Sequence, residues 1–243
     1  MGYWPIASNT KRPLEHYSKY IKLSFEMLSG QNLHFLSGNK AALSMARALA
    51  KQYEINLYLD KVTLDELPKR PHMTKLVQRA REFGGRLFDP PDDFDNDKGL
   101  IHYWRDLRWS DEETFKTLFC IWHSKVDLLT RAATRNAFRA DELAWVDATV
   151  SRFTNLREAW DFRKVARIVP KTIHHYPNVM RKGGRELPLN ASFLLGDLEA
   201  ISNLKAAYDE GFFESLNEIY PNDEETVLAT VLSKHPSMFT LIS

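Results

Sequence analysis

The sequence predicts a single α/β domain with a mostly parallel central sheet flanked by helices, and three observations predict it. Strand, helix, strand, helix, strand follow one another within residues 3–60, the rhythm of parallel strands joined by crossover helices. The run Leu143-Ala-Trp-Val-Asp-Ala-Thr-Val-Ser-Arg152 reads as a short buried strand that ends in a carboxylate, Asp147, followed by small residues. The length of 243 residues suits one such domain with a substantial core, and no repeat, low-complexity tract or linker divides it.

The elements follow in order. Residues 3–7 are short, aromatic and β-prone, and Ser8-Asn-Thr10 is a polar turn. Pro13 opens a helix with apolar residues at Leu14, Tyr17, Ile21, Phe25 and Leu28, closed by Gly30. Asn32-Leu-His-Phe-Leu36 is a second strand, residues 41–53 a helix, and residues 55–59 a third strand ending in Asp60. Residues 64–83 read as helical, interrupted by Pro68 and Pro71. Ser110-Asp-Glu-Glu113 reads as a capping box, opening a helix that carries Phe115, Leu118, Phe119 and Trp122 and runs to about residue 135. Past the central strand come a helical turn at 155–162 and strands at 165–169 and 190–195. A helix at 198–213, another from 222 to 232 and a strand at 238–242 complete the chain.

Composition limits the function. Hydrophobic and charged contents of 44% and 27% are those of an ordinary globular chain. A net charge of +1 argues against nucleic-acid binding by bulk electrostatics. Cys120 is the single cysteine, which excludes an internal disulfide, and its apolar surroundings mark it as a buried thiol. No segment approaches the roughly 20 apolar residues that span a bilayer, and the first residues lack the layout of a signal peptide. The expectation is a cytoplasmic protein.

Several motifs admit two readings. Asp147 is placed either to hold a metal or sugar hydroxyl at a strand end or to cap the next turn. Lys125 reads on pattern alone as a surface lysine, and otherwise as a phosphate ligand. Asp93, Asp95 and Asp97 suggest a calcium loop, but the glycine is one place late and Trp104 stands where Glu is required, so a solvated loop fits better. The adjacent His174 and His175 point to different sides of a strand and do not chelate one metal together. Arg181-Lys-Gly-Gly-Arg185 is a flexible basic loop, a solvated turn or a lid over an anion. Asn222 is a plausible cap for the last helix; Asp223 and Glu224 suit its first turn, as capping groups or as an ionised base.

Four segments in order resemble the HtrL/YibB-like family of bacterial glycosyltransferases, which is associated with lipopolysaccharide and other surface-glycan genes. They are Tyr3-Trp-Pro-Ile-Ala-Ser8 with Glu15-His-Tyr17, and Trp122-His-Ser-Lys125 with Asn136-Ala-Phe138. The third is Ala144-Trp-Val-Asp-Ala148, and the fourth comprises Ser192-Phe-Leu-Leu-Gly196, Asn222-Asp-Glu224 and Pro236-Ser-Met-Phe239. The chain departs from the family at Thr149, where Gly is usual, and at Glu224, where Gln is usual. It also has one carboxylate at Asp147 in place of Asp-x-Asp.

The resemblance implies a single GT-A-like (Rossmann-like) glycosyltransferase domain over 1–243, with a nucleotide-sugar-binding part at 1–150 and an acceptor-binding part at 151–243. The implied partners are a nucleotide-sugar donor and a glycan or lipid-linked glycan acceptor, with no nucleic acid and room for a peripheral membrane contact. Donor binding falls to Trp4, Pro5, Ile6, Ala7, Ser8, Lys11, Arg12, Lys125 and Asp147. Asp147 would also hold a divalent Mn²⁺ or Mg²⁺ ion, and Asp223 and Glu224 are the catalytic base candidates. Trp4 or Trp122 could stack on the base, with Trp122 preferred in the core.

A nucleotidyltransferase is an alternative, but Ser8-Asn-Thr-Lys-Arg12 has no glycine for a phosphate loop. A non-catalytic nucleotide- or glycan-binding domain is another, consistent with the missing second carboxylate. A dehydrogenase is disfavoured because no G-x-G-x-x-G follows a strand.

Overall fold

Ile21 and Phe25, four residues apart, are wholly buried on one side of α1 (Leu14–Met27). The helix gives way at Gly30, whose φ of +73° is left-handed and suits a residue without Cβ. A computed structural model of the protein describes residues 1–8, 14–84, 111–152, 169–178, 181–182, 185–217 and 223–242. The calcium-like run at 93–97, the turn at 155–162, most of the strand expected at 165–169, and Ser110, Lys11, Arg12 and Asn222 lie outside the described residues.

β1 (Asn32–Leu36), α2 (Lys40–Gln52) and β2 (Asn56–Asp60) form a parallel unit, with Asn32 opposite Asn56 and Leu36 opposite Asp60. Ala42, Ala46 and Ala50 give α2 a buried face of small side chains, and Asn39 caps it by accepting the N–H of Ala42 at 2.9 Å. The strand expected at 3–7 is reduced to a bridge. Gly2 pairs with Leu36 in parallel, and the Leu36 N–H donates to Met1 O at 3.0 Å while Tyr3 N–H donates to Leu36 O at 3.1 Å.

The helix expected from residue 64 begins later. Residues 70–72 form a 3₁₀ turn containing Pro71, and α3 spans Met73–Gly84. Proline has no N–H to give and disfavours helical backbone in the residue before it, so α3 starts beyond it. α4 (Glu112–His123) is capped by Asp111, which accepts the Thr114 N–H at 2.8 Å. The single helix expected as far as residue 135 is two, since α5 (Lys125–Arg135) begins after Ser124.

β3 (Glu142–Val146), β4 (Ile173–His175), β7 (Phe193–Asp197) and β8 (Phe239–Leu241) make a four-stranded sheet in the order β3-β7-β4-β8. Its β3–β7 and β4–β7 pairings are antiparallel and only β4–β8 is parallel, so this sheet is mixed where a mostly parallel one was expected. The reason lies in the connection from β4 to β7. It carries the two-residue strands β5 (Arg181–Lys182) and β6 (Arg185–Glu186), paired antiparallel, rather than the crossover helix a parallel return needs. Arg181, Lys182 and Arg185 of the basic segment expected as a flexible loop lie on these two paired strands.

α6 (Leu198–Ser215) and α7 (Glu224–Lys234) follow, capped by Asp197 and Asp223. Alternate residues of β3 and β7 feed two cores, as the pleat requires. Trp145 and Leu194 join Trp4, Phe115, Phe119, Tyr208 and Phe212 in one. Val146 and Phe193 join Ile21, Phe25, Phe35 and Ala46 in the other. The chain is thus a mixed α/β protein whose second sheet is sandwiched between two apolar layers. Among the described residues no helix is long and apolar enough to cross a membrane.

Candidate functional site

Asp147 extends β3 by one rung, its N–H donating to Ser192 O at 2.9 Å, and its carboxylate turns into a nest of donors. Trp145 Nε1 donates to Oδ1 at 2.8 Å and Ser192 Oγ to Oδ2 at 3.1 Å. Lys125, in the first turn of α5, places Nζ 3.1 Å from Oδ1 and 3.2 Å from Oδ2. The same ammonium donates to Glu224 Oε1 at 2.9 Å. Glu224 opens α7, where Asp223 accepts the Thr226 N–H at 2.8 Å as the cap. Glu225 Oε1 accepts the Ala191 N–H at 3.2 Å, which fastens α7 to the turn before β7.

Lys125, Asp223 and Glu224 are buried. Burial pulls the Lys125 ammonium down, but Asp147 and then Glu224 outweigh it and hold the lysine above its ordinary value. Burial pushes Asp147 up, yet Lys125, Arg152 and the hydrogen bond from Trp145 bring it below the usual carboxylate range. Glu224 moves the other way, because burial and the adjacent Asp223 outweigh Lys125. Burial, with Glu224 and Asp223 beside it, pushes Glu225 up to about 7. Three carboxyl groups, Asp147, Glu224 and Glu225, act on one lysine, and the two in the first turn of α7 are the ones pushed up.

The residues at Asp147 do not fit a divalent ion in this arrangement. Its two oxygens already accept from Trp145, Ser192 and Lys125, and an added cation would stand against the ammonium. Among the described residues no group of three or more His, Cys, Asp or Glu side chains could hold a metal. His174 and His175 take separate partners: His174 Nε2 accepts the Val169 N–H at 2.8 Å, and His175 Nδ1 meets Tyr176 O at 3.1 Å.

The residues expected to bind a donor divide. Lys125 and Asp147 meet; on this point the surface reading of Lys125 is wrong, because its partners come from β3 and α7, which the spacing of α5 cannot reveal. Trp4 is 5% exposed and donates its indole N–H to Val62 O at 2.7 Å, which makes it a core side chain rather than an open stacking platform. Trp122 packs partly buried against the same core. Pro5 and Ile6 are half-buried, and Ala7 and Ser8 are exposed. The Ser8 hydroxyl is hydrogen-bonded to Thr114 Oγ1 at the start of α4. Thr114 lies in the first turn of α4 and Lys125 follows its last turn, about 14 Å away along that helix at 1.5 Å per residue. Ser8 is therefore not brought to Asp147.

The expected placing of Asp147 at the carboxyl end of a parallel strand also needs correction. β3 pairs antiparallel with β7, while Asp60, at the end of parallel β2, meets Arg131 and Arg135 at the far end of α5. The two strand-end carboxylates lie at opposite ends of that helix. Ser192 enters the sequence reading only as the start of the fourth resembling segment, and Glu225 not as a site residue, although the run of three acids at 223–225 is a signal for it. No protein-family model matches the chain, and neither does any curated protein or solved structure.

Proposed function

We propose that the protein is a glycosyltransferase of GT-A type that moves a sugar from a nucleotide-sugar donor to a hydroxyl of a glycan acceptor. The setting would be the synthesis of surface polysaccharide or lipopolysaccharide, carried out in the cytoplasm. One observation carries this reading. Three of the four segments that resemble the HtrL/YibB-like family supply Lys125, Asp147, Ser192 and Glu224, and these converge in one hydrogen-bonded cluster although Lys125 and Glu224 are 99 positions apart.

In the transfer, the acceptor oxygen bonds to the anomeric carbon as the bond from that carbon to the diphosphate oxygen breaks. The nucleoside diphosphate leaves with the electron pair, and the acceptor proton passes to a carboxylate. Glu224 is the base, since a carboxyl raised by burial keeps appreciable affinity for the proton it must take. Lys125 swings from the two carboxylates to the departing diphosphate, supplying positive charge where negative charge develops. Asp147, held by Trp145 and Ser192, orients Lys125 and accepts a donor hydroxyl once the lysine moves. No step is assigned to a divalent ion.

A second reading, a non-catalytic nucleotide- or glycan-binding domain, is favoured by the same closure: Lys125 is engaged by two carboxylates, with no charge to spare. Thermal shifts with UDP-, GDP-, dTDP- and CMP-sugars, combined with a release assay for the free nucleotide, separate the two. Selective stabilisation by one nucleotide, lost in Asp147→Asn and accompanied by turnover, supports the transferase. Stabilisation without turnover supports the binding domain, and no response to any donor sinks the transferase and leaves the glycan-binding form of the second reading.

A further inference from the structure

We infer that the carboxyl-terminal edge of the β1–β2 unit is a binding site for a phosphate-class oxyanion, with Arg131 and Arg135 as its ligands. Asp60 ends β2 with its side chain only 6% exposed. Arg131 satisfies it completely: Nε donates to Oδ2 at 2.7 Å and Nη2 to Oδ1 at 3.0 Å. Arg135, one turn along α5, adds a second guanidinium with Nε 3.0 Å from Oδ2. A buried carboxylate needs one bidentate arginine, so the second is surplus to neutralising it. The arginine side chains are 40% and 44% exposed, so both remain within reach of a solute while Asp60 fixes their position. Tyr58 OH meets Nη1 of Arg135 at 3.4 Å and further limits its swing.

The surroundings favour an anion. Ligands in α/β units bind beyond the carboxyl ends of parallel strands, and β1–β2 is the parallel unit of this chain that carries a crossover helix. The turn after β1 is fastened to this edge, with Ser37 N–H donating to Asp60 O at 3.1 Å and Val62 N–H to Ser37 O at 3.2 Å. α2 starts from that turn with Lys40 and no acidic residue in its first turn, so its positive end adds to the field. Lys61 adjoins Asp60. Glu66 is the opposing charge, and its Oε2 already accepts both the N–H and the hydroxyl of Thr63. His34 lies 3.4 Å from Asp60 Oδ2 and is held neutral at physiological pH by burial and by the nearby N-terminus.

The site stands apart from the Lys125 cluster and does not depend on the glycosyltransferase reading. It is tested by melting the full-length chain in rising inorganic phosphate against sodium chloride of equal ionic strength. Wild type, Arg135→Gln and Asp147→Asn are compared. Phosphate raises the melting temperature of wild type and of Asp147→Asn beyond the chloride effect. Arg135→Gln weakens the response about tenfold or more, the loss of one charge-assisted contact, while its unliganded melting temperature stays close to wild type because Arg131 still satisfies Asp60. Three results overturn the site: no phosphate effect beyond chloride in wild type, an undiminished effect in Arg135→Gln, or an effect lost in Asp147→Asn instead.

Discussion

Lys125 and Glu224, 99 positions apart in the chain, meet at 2.9 Å in a setting where both side chains are more than nine-tenths buried. The same Nζ reaches Asp147, so one ammonium neutralises carboxylates from two different elements. Removing it leaves Glu224 buried without its cation and Asp147 with the field of Arg152 alone. Lys125→Met should therefore cost about 3–5 kcal/mol, the range seen when one member of a buried pair is deleted. The penalty should shrink on acidification, because Glu224 is already raised and takes up a proton first. Urea titrations at pH 5 and pH 8 check this; a penalty independent of pH would show that Glu224 does not depend on the lysine.

Asp223 and Glu224 are neighbours with separable duties. Asp223 Oδ1 accepts the Thr226 N–H as the cap of α7, a task asparagine does as well and alanine does not. Asp223→Asn should keep wild-type stability within a few tenths of a kcal/mol, and Asp223→Ala should lose about 1 kcal/mol. Glu224→Gln retains an acceptor for Lys125 but cannot take a proton. If the chain transfers sugar, Asp223→Asn should leave the rate largely intact, whereas Glu224→Gln should lower it about 10²–10⁴-fold. Initial rates with the donor named by thermal shift decide the matter, and the opposite pattern moves the base to Asp223.

Glu225, pushed up to about 7, predicts an unusual pH profile for stability. A carboxyl raised in the folded state holds protons that the unfolded chain has released. In the window from its ordinary value of 4.5 to about 7, the unfolded state thus binds fewer protons and stability falls as pH rises. Above that window both states are ionised and the slope vanishes. The total is at most about 3 kcal/mol, from 1.36 kcal/mol per unit. Glu225→Gln should lessen the decline between pH 5 and pH 7 in chemical denaturation, the remainder belonging to Glu224, which is raised as well. An unchanged slope in the variant would refute the assignment to Glu225.

Periodicity in the sequence was enough to locate β1 and β2, the helix between them and Asp147 at the end of β3, because each is written in a run of adjacent residues. What it could not carry is the direction of β7, which depends on how residues 176–192 return to the sheet. Lys125 shows the same limit. Its helix spacing suggested solvent, but burial is set by two carboxylates from β3 and α7 that lie far off in the sequence. Asp223 was read as the residue after the cap when it is the cap itself, a shift of one place that short runs of Asn and Asp do not resolve. Arg131 and Arg135 were passed over because two arginines a turn apart on a helix usually belong to solvent. Only the buried Asp60 distinguishes them.

Gly38 tests the architecture of the β1–β2 edge directly. A Cβ there would stand 2.5 Å from Thr63 Cα and 2.8 Å from Val62 O, both backbone atoms that cannot rotate away. The turn between β1 and α2 is pressed against residues 62–63, and the Val62 N–H donates to Ser37 O across the same contact. Gly38→Ala should therefore destabilise by about 1–3 kcal/mol through overpacking, despite adding a single methyl group. The displacement should also loosen the turn from Asp60 and weaken any phosphate response at Arg131 and Arg135. Gly30→Ala serves as the contrast, since nothing lies within 4 Å of its Cβ position and only its φ of +73° resists the change. The glycine at 30 should lose stability without touching anion binding, and the glycine at 38 should lose both. Equal phosphate responses in the two variants would separate the turn from the anion site.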